Sequence, residues 1–498
     1  MSRIYILGSS SLSRQLIAAV CIALCVHAPD AKARDLTLDE AIDIALGRTA
    51  RGEMIKGNLE VAEQNYSAKR INFYLPAISI NGSVPSYSSN KSYDEFFGQK
   101  GLVPRRNVDF NSFIELKQSL LTGGDLTVRA NLLNQAERYP DFRAPFSLDS
   151  VVFDDTRRGF FDFSFSQPLL KPSSAKNELH NRRDDLEIAK VNRYEAEAAL
   201  KKEVVEAYMG TLKTTLQSEL YGNKLNAATL KTAIDSAKLI DGVVSEETYL
   251  TSTSTRLDAE LQQFEIQTTA EQTKRDLAIL LDIDVAEAIN ATEPVITNHF
   301  DPATKERLIN GWESSVSIHK AEHEFFKAKR AADFSAAGHG LTGDLGLNYS
   351  FGRGKVETRR VDGVFNNDIK TSSYGISLNF KLPVFDGGSG SAAVKASRFQ
   401  ADQARLEYQR AQKTARAAII NLVNQIDVSY RRLEIFRKQI DLAQNRLSIA
   451  KGRYEDGQIS EITYLGSKIF HLEARDKYLD ELKTYLINRI DLESKFSS

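Results

Sequence analysis

The chain has 498 residues, and its 65 lysines and arginines nearly balance its 66 aspartates and glutamates, for a formal net charge of −1. This balance excludes a generally basic nucleic-acid binder. The only two cysteines, Cys21 and Cys25, lie near the start, and a cysteine-free remainder suits an oxidising compartment where stray thiols are a liability.

The first 33 residues have the pattern of a secretory signal peptide. A positively charged start precedes an apolar core at 16–26, and residues 31–33 have the small-x-small pattern of a cleavage site. The core is shorter than the roughly twenty residues that a membrane-spanning helix needs. Cys21 and Cys25 each follow a large apolar residue instead of the small one that a lipoprotein signal requires, so we expect cleavage without lipidation.

Short helices and then strand-like segments follow the expected cleavage site. Residues 37–40 form a capping box, Thr-Leu-Asp-Glu, before an apolar helical pattern. Apolar and polar residues then alternate at 78–87 and again at 159–167, the second with three regularly spaced aromatic residues, Phe161, Phe163 and Phe165. This alternation is a weak signature of outer-membrane strands, and a soluble β-sandwich would also produce it.

The first half of the chain carries a segment that the second half lacks. Residues 68–70 match residues 328–330 at an offset of 260, whereas later motifs match at 215, so the first half holds about 45 extra residues. We place an extra hairpin at about 88–158, because alternating segments flank the turn residues Thr122-Gly123-Gly124. The sequence leaves open whether this hairpin joins a membrane sheet or decorates its outer mouth.

A ten-residue phrase occurs twice, 215 positions apart. The segment 241–250 (DGVVSEETYL) returns at 456–465 (DGQISEITYL) with seven identical positions. A proline flanked by apolar residues repeats at the same offset, as Pro168 and Pro383, so each proline lies 73 residues before its Asp-Gly pair. Loops tolerate insertions, so a span of conserved length predicts a packed element of fixed size.

The repeated span is predicted to be helical. The second copy has neither proline nor glycine between Ser391 and Gly452, and its apolar residues step by three and four. About 65 helical residues make a rod of roughly 100 Å. A second helical run follows each Asp-Gly turn, which predicts antiparallel helical hairpins at 172–281 and 389–495 with their tips at the Asp-Gly pairs.

These elements divide the chain into two tandem repeats. The first spans 34–283 and the second 305–498, with short helices at the start of each and the second repeat's strands at 341–383. Residues 284–304, which contain Pro294 and Pro302, are the expected crossover linker. Two strands per half cannot close a sheet within one chain, so a membrane-spanning sheet would need several protomers.

The chain resembles TolC-type outer-membrane efflux proteins. Four segments carry the resemblance: 36–46 (LTLDEAIDIAL), 166–170 (SQPLL), 382–388 (LPVFDGG) and 453–460 (RYEDGQIS). It implies an α+β membrane protein in which long antiparallel α-helical coiled-coil hairpins form a periplasmic tunnel. It also implies a homotrimer whose four strands per protomer form one twelve-stranded outer-membrane β-barrel.

The resemblance further implies a function and a set of partners. The expected role is the outer-membrane channel-tunnel of a tripartite efflux or type I secretion system in a Gram-negative bacterium. The expected partners are a periplasmic adaptor (membrane fusion) protein, an inner-membrane pump of the RND or ABC type, and outer-membrane lipid. Neither enzyme activity nor a cofactor is expected.

The expected periplasmic entrance lies at the two hairpin tips. Its candidate residues are Asp241, Gly242, Ser245, Glu246, Glu247, Tyr454, Asp456, Gly457, Ser460 and Glu461. In the family a tyrosine three residues before the second tip glycine helps to hold the entrance shut, and Tyr454 matches it. The family's arginine and aspartates near the tips are replaced here by Ile459, Thr463, Gly466 and Thr248. The barrel-to-helix transition is expected at Pro168, Pro383, Gly387 and Gly388.

The acidic residues at the tips allow two interpretations. Six acids per protomer, including Glu455, would surround one opening and favour cations. Equally, acidic residues are common at the start of helices because they interact favourably with the helix dipole. The sequence does not decide between these interpretations.

Other signals are weaker. The glycine pattern at 338–343 follows a helix instead of a strand, which argues against a dinucleotide site. His319 and His323 are more typical of a solvated helix face than of a metal site, and Met54 and Met209 are too few for a methionine-based metal path. A periplasmic coiled-coil scaffold or adaptor remains the main alternative, and an exported hydrolase is a remote one because no nucleophile constellation has suitable spacing.

Overall fold

The structure is a computed structural model that describes residues 34–96, 99–141, 147–284, 289–296 and 301–496. The expected signal peptide at 1–33 lies outside the described residues. The described residues divide into two compact units: one of those within 34–56, 194–312 and 416–496, and another of those within 57–193 and 313–415.

The helices have the following bounds, numbered in chain order: α1 Leu38–Gly47, α2 Ala50–Tyr74, α3 Ser174–Ile240, α4 Glu246–Leu280, α5 Pro302–Asn310, α6 Val316–Gly338, α7 Ser389–Glu455 and α8 Glu461–Glu493. The strands are β1 Arg34–Leu36, β2 Ala77–Gly82, β3 Ser86–Phe96, β4 Gln99–Ser119, β5 Asp125–Asp141, β6 Ser147–Pro168, β7 Ile289–Ala291, β8 Thr342–Arg360 and β9 Gly363–Lys381. No described helix combines the length and the apolar character needed to cross a bilayer.

The first unit contains the tips of both helical hairpins. The repeated helices α3 and α7 each have 67 residues, which confirms the predicted element of about 65 residues in both halves. Thr211 Oγ1 on α3 donates to Thr273 O on α4 at 3.1 Å, and Thr232 Oγ1 donates to Ser252 O at 2.9 Å. The residue numbers of the contacts increase along α3 as they decrease along α4, so the two helices are antiparallel.

The second hairpin has the same construction. Arg437 on α7 donates to the Tyr478 hydroxyl on α8 at 3.3 Å, and Arg446 lies over the Phe470 ring at 5.0 Å from its centroid. The predicted pair of long antiparallel hairpins is therefore confirmed.

A ladder of ion pairs joins the two hairpins. The Nζ atoms of Lys202, Lys213 and Lys224 on α3 lie 3.0, 2.7 and 2.9 Å from carboxylate oxygens on α8. Their partners on α8 are Asp491, Asp480 and Glu473. The three lysines are eleven residues apart, and this spacing returns to nearly the same face of a helix. Each half-exposed pair contributes little alone, but the ladder fixes how α3 and α8 are aligned.

The apolar core of this unit surrounds the base of the hairpins. Thr37 and Glu40 form the expected capping box at the start of α1, with Glu40 N–H donating to Thr37 Oγ1 at 3.3 Å and Thr37 N–H to Glu40 Oε2 at 3.1 Å. The crossover expected at 284–304 contains a strand, because β7 pairs in parallel with β1. The fully buried Tyr208 hydroxyl joins this small sheet to α3, lying 2.6 Å from Leu36 O and 2.7 Å from Thr292 O.

The second unit is built on one antiparallel sheet. Its strand order is β2-β4-β5-β6-β8-β9, and β3 pairs with β4 beyond the end of β2. Strands β2 and β3 therefore occupy one position beside β4, and the sheet has six strand positions. The hairpin predicted around Thr122–Gly124 is part of this sheet as β4 and β5, so the sheet holds one hairpin more than the four strands per protomer that the resemblance implies.

The two faces of this sheet differ in chemistry. Residues directly paired across antiparallel strands point to the same face. One such row consists of Ile78, Leu116, Val128, Phe163, Tyr349 and Tyr374, one residue from each position. The opposite face carries the polar row Ser79, Glu115, Arg129, Asp162, Ser350 and Ser373. On that face Arg129 forms an ion pair with Glu115.

Candidate entrance at the tips of the helical hairpins

Each tip is a helix ending followed at once by a helix start. Asp241 N–H donates to Ala237 O, and Gly242 N–H donates to Leu239 O at 3.0 Å. Val243 N–H closes the turn on Lys238 O at 2.8 Å, the pattern of a Schellman cap. Gly242 adopts φ +70°, a left-handed conformation that glycine reaches without a steric penalty.

The second tip repeats these bonds at the offset of 215. Gly457, at φ +72°, donates from its N–H to Tyr454 O at 2.9 Å. Gln458 N–H donates to Arg453 O at 2.8 Å, the counterpart of the bond from Val243. The Asp-Gly pair is thus repeated because each of the two long helices ends in the same turn, which needs a glycine at this position.

The serines of the repeated phrase start the return helices. Ser245 Oγ accepts from Thr248 N–H at 3.3 Å, and Ser460 Oγ accepts from Thr463 N–H at 3.4 Å. In both tips the serine and threonine hydroxyls also lie 3.0 Å apart. The threonines that replace the family's aspartates therefore belong to the N-caps, a role that the sequence reading missed although both threonines lie in the repeated phrase.

The candidate acids are exposed at the helix starts. Glu246 and Glu247 lie in the first turn of α4, and Glu461 lies in the first turn of α8. The aspartates Asp241 and Asp456 are exposed in the two turns. Among the described residues, none of these five forms an ion pair with a cation, although Lys238 and Arg453 lie in the last turns of the helices that end at the tips. The helix dipole stabilises the three glutamates where they lie.

Tyr454 has a ring partner within its own hairpin. Its ring stacks on Tyr464, with centroids 5.2 Å apart and planes 7° from parallel, and it remains 37% exposed. At the first tip the equivalent positions hold Leu239 and Tyr249, so only the second tip has two aromatic rings there. The sequence reading selected Tyr454 but missed Tyr464, although the repeated phrase contains it.

The contacts between hairpins lie before the tips. The ion pairs nearest to them are Lys224–Glu473 at 2.9 Å and Lys468–Glu219 at 3.2 Å. The described residues show no hydrogen bond or ion pair between the two tips. The structure therefore brings the candidate entrance residues together as two separate groups, one in each tip.

The expected transition residues lie where the sheet continues into the helices of the second unit. Pro168 ends β6 opposite Asp344. After β9, Gly387 and Gly388 adopt φ +69° and +88°. Asp386 accepts from Gly388 N–H at 2.9 Å and from Gly390 N–H at 2.7 Å, and these two bonds hold the pKa of its carboxyl below the ordinary value.

The first half makes the same transition with different residues. Ser173 stands at the position of Gly388, and its Oγ accepts from Lys176 N–H at 3.1 Å at the start of α3. The backbone bond from Asn177 N–H to Ser173 O recurs as that from Ala392 N–H to Gly388 O, both at 3.0 Å. Both halves therefore begin the long helix at equivalent positions.

The suggested metal site is not assembled. His323 Nδ1 lies 2.8 Å from Asp184 Oδ1, and Asp184 also pairs with Arg330. His319 lies 4.0 Å from Glu322. Within the described ranges, no group of three or more histidine, cysteine or acidic residues is arranged to hold a metal ion.

Comparison with known proteins matches the second half of the chain to one family. Residues 303–495, about two fifths of the chain, are similar to the family described as outer membrane efflux protein. Outer membrane protein OprJ of Pseudomonas aeruginosa is 27% identical over 202 residues, which are 40% of this chain and 39% of OprJ. Outer membrane protein TolC of Escherichia coli is 21% identical over 154 residues, 31% of either chain.

The fold comparison covers nearly the whole chain. The Campylobacter jejuni CmeC outer membrane channel superposes with a TM-score of 0.57 at 14% identity, over 92% of this chain and 85% of CmeC. The likeness in fold thus extends well beyond the matched sequence, and the aligned sequence spans only about two fifths of OprJ. The family and both relatives are named for the outer membrane, and the chain is assigned to that membrane.

Proposed function

We propose that the chain is the exit duct of a tripartite efflux or type I secretion system. In this role a homotrimer crosses the outer membrane, extends into the periplasm, and conducts substrates outward without chemical transformation. A periplasmic adaptor and an inner-membrane pump of the RND or ABC type would complete the system. The observation that carries the proposal is the combination of two hairpins with equal 67-residue helices and a sheet with one apolar face.

The main alternative is a periplasmic scaffold or adaptor that never enters lipid. Such a protein would have no use for a sheet face of exposed apolar residues such as Ile80, Phe161 and Tyr374, which are 80%, 45% and 85% exposed. A duct accounts for these residues, because lipid would cover them and edge pairing between copies would satisfy the open sheet edges.

Fractionation and gel analysis test the duct. The full-length chain is expressed in a Gram-negative host, and outer membranes are separated from the periplasm. A trimer that resists detergent until it is heated, found in the outer membrane, is expected. A monomer in the periplasmic fraction would refute the duct and favour the scaffold.

We further propose that the exposed tip acids give the entrance a preference for cations. Glu246, Glu247 and Glu461 have no cation partner among the described residues, so on a threefold axis their charges would add in one opening. The triple replacement by glutamine is expected to shift the reversal potential in a salt gradient towards non-selective conduction. Replacing Glu53, Glu60 and Glu63 on α2 by glutamine is the matched control. An unchanged reversal potential in the tip variant would show that these acids only stabilise helix starts.

A further inference from the structure

A group of cations lies where the apolar face of the sheet ends. Four successive residues of β8 on this face are apolar and pair with β6 and β9: Leu345, Leu347, Tyr349 and Phe351. The next two residues of this face on β8 are Arg353 and Lys355. Arg353 lies directly opposite Lys370 on β9, and Lys355 lies directly opposite Arg157 on β6. All four cations are exposed, and we call them the basic group.

The basic group lies towards the end of the sheet that is remote from the helices. Strand β8 follows α6 and β9 precedes α7, so these helices join the sheet where Thr342 pairs with Lys381. The opposite end is the turn between Arg360 and Gly363. In the proposed orientation, with the helices in the periplasm, this turn faces the exterior. A lysine or arginine on the lipid face is costly at the middle of a bilayer but costs little near its interfaces, so the basic group corresponds to the outer interface.

Aromatic rings border the basic group on the hydrocarbon side. The Phe161 and Phe351 rings stack with their centroids 5.3 Å apart, and the centroid of the Tyr349 ring lies 5.6 Å from that of Phe351. Outer-membrane sheets carry such rings at the interfaces of the membrane. The same surface thus offers apolar contacts on one side and positive charge on the other, which matches the two ends of a lipid molecule.

An open cleft lies beside the rings and two of the cations. Its volume is about 550 Å³, within the range of small-ligand sites, and its walls include residues of both kinds: Phe161, Tyr349, Phe351, Arg353 and Lys370. Gly159 lies opposite Arg353 and also lines the cleft. A Cβ at this glycine would lie 3.6 Å from Leu132 Cδ2, an ordinary contact. The neighbours of Gly159 therefore accept a side chain, and the cleft is open because none is present.

The positive charge of the basic group is only partly compensated. Within the ranges that the structure describes, none of its four members forms an ion pair. Asp368 lies directly opposite Lys355 in the sheet. Asp155 and Glu357 lie one row farther from the apolar residues, where Arg359 engages them at 3.6 and 2.6 Å. One acid, Asp368, therefore shares its row with members of the basic group.

The arrangement of these cations is unfavourable for the sheet alone. Like charges directly opposite each other destabilise an antiparallel pair, and the basic group consists of two such pairs in neighbouring rows. An anion between the two rows would turn this repulsion into attraction. Phosphate suits the position, since arginine binds its oxygens through paired hydrogen bonds and lysine contributes a point charge.

We propose that the basic group and the cleft beside it bind the phosphorylated head group of a lipid in the outer leaflet, while the acyl chains of this lipid lie on the aromatic rings. The phosphate is held between the two rows of cations, and the cleft receives the adjoining part of the head group. This inference rests on the proposed insertion of the sheet into the outer membrane. It concerns the lipid around the duct and not the substrates that pass through it.

Lipid binding by the purified full-length protein tests this assignment. The protein is titrated in detergent micelles with lipid A that carries two phosphates, and native mass spectrometry measures the bound lipid. Replacing all four members of the basic group by glutamine is expected to weaken binding roughly tenfold or more, because each cation near an anionic lipid surface contributes to the attraction. The matched control replaces four other exposed cations, on α7, by glutamine and should bind like the unaltered protein: Lys395, Arg398, Lys413 and Arg416.

Three further measurements define the site. Gly159→Phe keeps all four cations but fills the cleft, so it is expected to weaken lipid binding as well. Inorganic phosphate at the same concentration as the lipid should not displace it, because contacts with the acyl chains are part of the binding. Without lipid A, the fourfold glutamine variant should melt no lower than the unaltered protein, because it lacks the two like-charged pairs.

Contrary results would overturn the assignment. Unchanged binding by the fourfold variant would exclude the basic group, and an equal loss in the α7 control would show unspecific attraction between charges. Displacement by inorganic phosphate would indicate a site for a free anion instead of a lipid. Full binding by Gly159→Phe would exclude the cleft.

Fractionation separates this inference from the proposed duct. Recovery of the unaltered protein in the outer membrane, together with unchanged binding by the fourfold variant, would leave the duct intact and overturn the lipid site alone. Recovery in the periplasm would refute the duct and the lipid site together. If the fourfold variant does not reach the membrane, each like-charged pair is replaced by glutamine separately, as Arg157→Gln with Lys355→Gln and as Arg353→Gln with Lys370→Gln. Unchanged binding in both of these variants would also overturn the site.

Discussion

The two halves have long helices of nearly equal length but different numbers of strands. Helices α3 and α7 both have 67 residues, and α4 and α8 have 35 and 33. The strands are not matched: the first half supplies β2 to β6, the second only β8 and β9. Long packed helices must match because contacts along their whole length depend on alignment. A sheet, in contrast, grows sideways by whole hairpins without changing the length of any strand.

Unequal shortening of the hairpins should have the largest effect. Removing eleven residues from each arm of the first hairpin, 223–233 and 251–261, leaves the second hairpin longer and should abolish the proposed export. A second variant also lacks the equivalent residues of the second hairpin, 438–448 and 466–476. Its two hairpins again have equal length, so trimer assembly should recover. Susceptibility to exported compounds and heat-modifiable trimers are the readouts. Equal activity of the two variants would contradict the requirement for matched length.

The tip glycines Gly242 and Gly457 should contribute equally to the free energy of unfolding. Gly242→Val and Gly457→Val each force a β-branched residue into a left-handed conformation, which costs roughly 1–2 kcal/mol. Gly466→Ala on α8 is the control, because a Cβ there meets nothing within 4 Å and alanine favours a helix. Chemical denaturation of the purified protein measures all three. A large difference between the two valine variants would show that the tips are not equivalent.

The aromatic pair should distinguish the second tip from the first. Tyr454→Ala removes the stack on Tyr464, an interaction worth about 0.5–1.5 kcal/mol, and is expected to loosen the entrance and raise single-channel conductance. Leu239→Ala at the equivalent position of the first tip should leave conductance unchanged. If Tyr454→Ala also leaves it unchanged, the tyrosine has no gating role.

The smallest effect is expected within α8. Burial is the main cause that raises the pKa of Asp476 above its ordinary 3.8; Lys213 opposes the shift and Asp480 adds to it. A raised pKa means that this carboxyl favours folding below the unfolded pKa and loses that contribution as the pH rises through the folded pKa. Asp476→Asn should therefore raise the melting temperature by a few degrees at neutral pH, and the gain should shrink towards pH 3.8.

A neighbouring carboxylate supplies the control for that prediction. Asp480 lies 2.7 Å from Lys213, so Asp480→Asn removes a favourable partner and should lower the melting temperature at neutral pH. A loss of stability in Asp476→Asn as well would show that its carboxylate is favourably paired in the folded chain.

Local patterns in the sequence predicted most of the fold. The capping box at Thr37, the hairpin at Thr122–Gly124 and the helical span between Pro168 and Asp241 follow from neighbouring residues, and the structure has all three. The number of strands does not follow in this way. Alternation in β4 and β5 is the same whether a hairpin lies inside a sheet or beside it. The expectation of four strands came from the two alternating segments recognised in each half and from the resemblance.

The candidate site was predictable only in part. The repeated phrase located both tips, but it did not reveal that Ser245, Thr248 and their counterparts are caps. The ion pairs of Lys202, Lys213 and Lys224 were missed because their partners lie more than 240 positions away. Their eleven-residue spacing was visible, yet spacing alone does not indicate which helix lies opposite.

The hydroxyl of Tyr208 joins segments that are far apart in the chain, and this affects when they can fold together. It receives the Thr292 N–H at 2.8 Å and lies 2.6 Å from Leu36 O, so it joins segments up to 256 positions apart. Closing so long a loop is slow because the chain entropy must be overcome before the contacts form. The contact between Leu36 and Tyr208 is therefore complete only after Thr292 has been synthesised, because Thr292 contributes to the same group of hydrogen bonds.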